Sequence, residues 1–209
     1  MDRLLLSNML DVITALVCLF ITIRVFLVYP NVRSPRLLVL GLSMGILTLG
    51  AIADLVSSNL ASLEAHTDWF LYLGETAALL CILLSLVSDA NAYLERLIRV
   101  QVFATVLLVG LLLISIVLPD IPNVGVREIV GSTRYIVCTG ISFFYITGFM
   151  KKQSRFGILM ALCFLLLAAG YLMDMQQYIM PVREALFDSV GDFSRLAGWL
   201  TLLIAVLIG

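Results

Sequence analysis

The sequence predicts an all-α membrane protein, a bundle of seven transmembrane helices, and three observations carry that reading. Of its 209 residues 62% are hydrophobic and only 13% charged, with a mean hydropathy of +1.10, whereas soluble domains run near half apolar and a quarter charged. Apolar runs long enough to cross a bilayer, about 20 residues each, recur seven times between charged or Pro-containing breaks. Lys and Arg are denser in alternate breaks, the pattern left by retention of positive charge on the cytoplasmic side. The whole of 1–209 is therefore expected to be one multi-pass bundle whose first partner is the lipid bilayer, with no room for a soluble domain.

Taken in order, the first run covers Asn8 to Val28 and stops at Tyr29-Pro30-Asn31. No basic segment with a small-residue cleavage site precedes it, so it is expected to span rather than to be cleaved. The second covers Leu37 to Ser58 and is followed by a polar stretch, Ala61 to Asp68, holding Glu64, His66 and Asp68. A third covers Phe70 to Val87. The charged segment Ser88 to Arg99 is expected to be a loop ahead of the fourth run, Val100 to Leu118, which Pro119-Asp120-Ile121-Pro122 closes. The fifth covers Ile129 to Met150, the sixth Phe156 to Ile179 and the seventh Phe193 to Ile208. The chain stops at Gly209 inside an apolar run without a basic anchor, as expected of a longer protein cut short; a short seventh helix is the alternative.

Orientation follows from the short loops. Those after helices one, three and five carry Arg33, Arg36, Arg96, Arg99, Lys151, Lys152 and Arg155; the other side carries Arg3, Arg127, Arg134, Arg183 and Arg195 together with most of the acid. This places the amino terminus outside and the carboxyl terminus in the cytoplasm.

Slid against itself by 120 residues, the chain aligns helices one and two with five and six. Val17-Cys18 falls on Val137-Cys138, Ser34 on Ser154, Gly50 on Gly170 and Asp54 on Asp174, with eight identities in 49 positions from Leu10 to Ser58; about four are expected from composition. At an offset of 117, Gly74-Glu75 matches Gly191-Asp192. A three-plus-one-plus-three parallel repeat is the expected plan, with halves at about 8–88 and 129–209 and a linking helix at about 100–118.

Ionisable side chains at membrane depth cost about 2.5–3.5 kcal/mol each and are functional candidates for that reason. Asp54 and Asp174 fall near the outer ends of helices two and six, Asp11 about one turn into helix one, and Arg134 and Arg195 at matching depth on helices five and seven. Glu75 and Asp192 are expected to open helices three and seven, where a carboxylate complements the helix dipole. Such a set either lines a pocket for a small molecule or ion, or closes into an ion-pair network with Arg134 and Arg195 as the cations. Arg24 is expected to snorkel to the inner interface.

Several functions are excluded or disfavoured. A net charge of −1 offers no footprint for nucleic acid. One histidine, His66, cannot supply paired haem ligands, and the only lysines, Lys151 and Lys152, lie in a turn, so no retinal Schiff base forms in the seventh span. Cys18, Cys81, Cys138 and Cys163 all fall within helices as packing residues. No phosphate loop or zinc helix occurs, so no cofactor is expected. Asp54 and Asp174 lack the Tyr-Asp or Gly-x-Gly-Asp setting of membrane aspartyl proteases, which counts against an enzyme.

The stretch Asp54-Leu55-Val56-Ser57-Ser58-Asn59-Leu60, followed by Trp69-Phe70-Leu71-Tyr72-Leu73-Gly74, resembles the end of helix two and the entry to helix three in the amino-terminal seven-helix domains of bacterial sensor histidine kinases and diguanylate cyclases. A Trp inside helix two and a Pro-aromatic run after Gly74, both common there, are missing. The resemblance implies an outer ligand pocket around Asp54, Trp69, Tyr72 and Glu75, and a seventh helix that signals to a cytoplasmic effector. Two alternatives stand beside it: a small carrier with a three-plus-one-plus-three plan, and an accessory subunit that meets membrane-protein partners through small residues such as Gly41 and Gly45.

Overall fold

The computed structural model describes residues 3–59, 67–115, 124–179 and 184–208; Glu64, His66, Asp120 and Arg183 fall outside them. Among the described residues there are seven helices and no strands: α1 (Arg3–Val32), α2 (Pro35–Asn59), α3 (Asp68–Val87), α4 (Asn91–Leu113), α5 (Val124–Lys152), α6 (Arg155–Ile179) and α7 (Glu184–Ile208). All seven are long and apolar enough to cross a membrane. The chain divides into two compact units, Met1–Asn123 with α1 to α4 and Val124–Gly209 with α5 to α7.

Several boundaries differ from the sequence reading. The charged segment before Val100 is helical from Asn91, because Leu94, Leu97 and Gln101 recur at helical spacing and are buried while Arg96 and Arg99 are exposed. The linking helix is thus 91–113 rather than 100–118. Helices α3 and α7 start at Asp68 and Glu184, so Glu75 and Asp192 lie about two turns inside them and not at their heads. Their carboxylates are beyond the first turn, where the dipole acts. Finally, α1 runs through Pro30, which sits in the last turn, where the missing N–H and its ring perturb little of the helix.

Arg33 ends α1 in the left-handed region (φ 50°), its N–H donating to Tyr29 O at 2.7 Å; Gln153 ends α5 likewise (φ 44°), donating to Phe149 O at 2.7 Å. The following helices also begin alike, with Leu38 N–H to Ser34 O and Ile158 N–H to Ser154 O, both at 3.3 Å.

In lipid no hydrophobic force drives one apolar helix onto another, so small residues and hydroxyl ties hold each unit. In unit 1, Thr22 Oγ1 donates to Cys18 O at 2.8 Å and approaches Gly41 O at 3.5 Å, joining α1 to α2. Gly41 and Gly45 face Val25 and Thr22 of α1, so these small residues serve α1–α2 packing within the unit. Ser43 Oγ donates to Ala78 O at 3.1 Å, joining α2 to α3. Helix α4 rests Leu97 on Val39 and Cys81. It is tied further by Gln101, fully buried, whose Nε2 donates to Val39 O at 3.2 Å and Ser43 Oγ at 2.9 Å. In unit 2, Ser142 Oγ donates to Ala161 O at 2.9 Å across α5 and α6. Ser194 Oγ donates to Leu166 O at 2.8 Å across α6 and α7. All four cysteines are free and buried.

At the α1–α2 corner of unit 1, Arg36 Nε donates to Ser85 O at 2.9 Å and a terminal nitrogen to Ser88 O at 3.4 Å, capping α3; Asp89 pairs with it at 2.5 Å but is 89% exposed. Arg36→Ala is expected to cost about 1–2 kcal/mol by freeing those carbonyls, and Asp89→Asn less than about 0.5 kcal/mol. Thermal melting of the two variants in one detergent checks the contrast; equal losses would place the stabilisation in the ion pair instead.

Candidate functional site: a charged cluster on α5, α6 and α7

The nine residues expected at an outer site divide between the units. Asp11, Asp54, Trp69, Tyr72 and Glu75 belong to unit 1, and Arg134, Asp174, Asp192 and Arg195 to unit 2. In unit 1 all five are partly buried and each is engaged with a neighbour. Glu75 stands within electrostatic reach of the buried Cys18 of α1. The end of α2 is tied to the start of α3 by Thr67 Oγ1, which donates to Ser57 Oγ at 3.1 Å, while Ser57 Oγ donates to Asp54 O at 3.0 Å.

Unit 2 brings its four together. Arg195 of α7 pairs with Asp174 Oδ2 of α6 at 2.9 Å and with Asp192 one turn back on its own helix. Their side chains are 29%, 18% and 17% exposed, low enough that the pairing is poorly screened. Arg134, 7% exposed on α5, lies over the ring of Tyr171 with its guanidinium carbon 4.9 Å from the centroid; Arg195 approaches the same ring at 6.0 Å. Tyr171 is itself 1% exposed. Two guanidinium groups thus share one aromatic ring, whose π-system attracts cations through its quadrupole. Sequence reasoning missed Tyr171, although it precedes Asp174 by three positions and so shares its helical face.

The cluster sits beside a crossing closer than side chains permit. A Cβ on Gly170 would stand 2.5 Å from Arg195 Cγ and 3.0 Å from Gly191 O; one on Gly191 would stand 2.6 Å from Asp174 Oδ1 and 3.2 Å from Gly170 O. One on Gly198 would meet Leu167 at 2.8 Å and Cys163 O at 3.2 Å. Bare backbone at 170 and 191 lets α7 approach α6 until Arg195 reaches Asp174. Counted from the ends of the apolar spans, Arg134 and Arg195 lie about 9 Å inside, at about 1.5 Å per residue.

Helix pairs in the two units meet in the same register at an offset of 120. Thr22 faces Gly41 as Ser142 faces Ala161. Gly50 faces Leu71 as Gly170 faces Gly191; Gly74 faces Ile46 as Ser194 faces Leu166; Ser43 meets Ala78 as Cys163 meets Gly198. The offset of 117 that pairs Gly74-Glu75 with Gly191-Asp192 is one turn out of this contact register. At an offset of 120, Glu75 takes the place of Arg195, and Tyr72 that of Asp192.

Other chemistry is sparse. Gln101 Oε1 is buried and accepts no hydrogen bond from the described residues. Among the described residues no three His, Cys, Asp or Glu side chains converge as a metal set. Compared with protein-family profiles, curated proteins and solved structures, the chain matches none.

Proposed function

We propose that this chain is a seven-helix receptor or sensor domain of a bacterial cytoplasmic membrane, in which a small charged ligand or ion acts on the Arg134–Tyr171–Arg195 cluster and its two aspartates from the outer face. The observation that carries the reading is the double pairing of Arg195 beside the Gly170–Gly191 crossing. A ligand that competes for Arg195, or neutralises Asp174, leaves a charge unpaired in a poorly screened setting and changes the force between α6 and α7 where their backbones touch. Helix α7 then transmits the change toward the cytoplasm and an effector partner, in line with the resemblance of Asp54–Gly74 to sensor domains. In this reading the amino terminus is outside, and Asp11, Asp54 and Glu75 with Trp69 and Tyr72 of unit 1 are a separate set of outer-face candidates.

A carrier is the second reading, favoured by the common register of α1–α3 and α5–α7 with matching helix ends at Val32 and Lys152, Pro35 and Arg155, and Asn59 and Ile179. That pattern supports a three-plus-one-plus-three parallel repeat, a plan used by transporters. Against it, the cluster lies toward one face and not at the midplane.

The two readings separate in proteoliposomes. Phosphate, glutamate and calcium are each tested for a shift in melting temperature of the purified chain and, with radiolabel, for uptake. The sensor reading expects at least one to shift the wild type by several degrees, not to shift Asp174→Asn/Arg195→Gln, and not to accumulate. Saturable accumulation establishes the carrier; no shift with any of the three overturns the sensor reading.

A further inference from the structure

A second charged feature lies in unit 1 at the end away from Asp54. Leu94, Leu97 and Gln101 of α4 turn inward. At about 100° per residue, Arg96 and Arg99 therefore stand on the other side of the helix with Phe103, Val106 and Leu107, all of them exposed. Arg33 is exposed at the same end, at the left-handed corner between α1 and α2. Unlike Arg36, none of these three guanidinium groups makes an ion pair among the described residues, and Glu95, one turn before Arg99, does not bridge to it.

Two like charges one turn apart repel unless an anion lies between them. On the lipid-facing side of a spanning helix, the anion at that depth is a phospholipid headgroup. Its phosphate oxygens match the donor geometry of arginine better than that of lysine. Directly beyond Arg99 in the same row of α4 come Val102 and Val106, one wall of an apolar groove of about 240 Å³ that Leu42, Thr105 and Val109 complete between α2 and α4. Charge at one end and an apolar channel running away from it match one molecule, with a headgroup and an acyl chain.

We propose that Arg96 and Arg99, with Arg33 at the adjoining corner, bind the headgroup phosphate of an anionic phospholipid whose acyl chain lies in the α2–α4 groove. This site is independent of the cluster on α5 to α7 and of the sensor or carrier reading.

Native mass spectrometry of the full chain, released from dodecylmaltoside micelles after incubation with phosphatidylglycerol or phosphatidylcholine of identical chains, tests it. The wild type is expected to retain phosphatidylglycerol in about thirtyfold preference, the effect of two well-placed cations. Arg96→Gln/Arg99→Gln is expected to fall to near parity, while Lys151→Gln/Arg155→Gln, which removes exposed basic residues of unit 2, keeps the preference. Equal retention of the two lipids by the wild type overturns the proposal, as does equal loss in both double variants. Displacement of phosphatidylglycerol by millimolar inorganic phosphate overturns it in favour of a free-anion site. The competition arms use the unmodified chain, so they decide the matter even if the arginine variant does not fold.

Discussion

Gly170→Ala is expected to destabilise the protein by about 2–3 kcal/mol, near the upper end for an inserted methyl group. For a domain of this size that amounts to a fall of about 5–10 °C in melting temperature. The new Cβ meets Gly191 O at 3.0 Å and Arg195 N at 3.2 Å, both backbone atoms, and Arg195 Cγ at 2.5 Å. The side chain can rotate, but the backbone contacts yield only if α7 moves away from α6. That movement also draws Arg195 from Asp174, so packing and charge pairing are lost together. Gly45→Ala supplies the control: its Cβ stands 3.8 Å from Thr22 Cγ2, ordinary contact, and its effect is expected to stay below about 0.5 kcal/mol. Gly41→Ala falls between, since its Cβ at 2.6 Å from Val25 Cγ1 meets only a side chain. Thermal melting of the three variants in one detergent measures the order; equal shifts would remove the case for a backbone crossing at 170 and 191.

Arg195→Gln is expected to cost about 2–4 kcal/mol, because it leaves the Asp174 and Asp192 carboxylates close together without the cation that holds them. That cost falls below the full range for buried pairs because Arg195 keeps 29% exposure. Asp174→Asn is expected to cost less, about 1–2 kcal/mol, because Arg195 retains Asp192. The double variant Asp174→Asn/Arg195→Gln is expected to be less destabilised than the sum of the single variants, a coupling that a double-mutant cycle reads directly. Strict additivity would show that the two side chains do not interact, and the sensor reading would lose its central contact.

Much of this architecture is legible in the sequence. Cys18 and Cys138 carry no exposure, nor do Ile21 and Ile141, and all four belong to the identities at offset 120; the matches between the halves thus fall largely on buried faces. Asp174, Asp192, Arg134 and Arg195 stand out because charge inside a span is costly and therefore rare. What escaped was whatever depends on the direction a residue faces. Arg96 and Arg99 made the start of α4 resemble a loop, because a count of charges does not distinguish a solvated turn from a helix with its charges on one side. The Gly-acid pairs at 74–75 and 191–192 drew attention to an offset of 117, yet a glycine's place is set by the backbone opposite it. Tyr171 went unmarked because tyrosine is ordinary in a span and becomes significant only when two guanidinium groups reach its ring.

The amino-acid order by itself determined seven helices, among the described residues, long and apolar enough to span a membrane, and which charges a bilayer would have to accept. Transfer from water to lipid is a property of each side chain, and a spanning backbone must close its hydrogen bonds within its own helix. Only the tertiary structure decided that Arg195 meets Asp174 and that Arg134 and Arg195 share Tyr171. It alone also showed that Gly170 and Gly191 bring two backbones into contact. Those outcomes rest on the rotation of each helix about its axis and its height against its neighbour, and both are set by small residues and hydroxyl ties on facing helices.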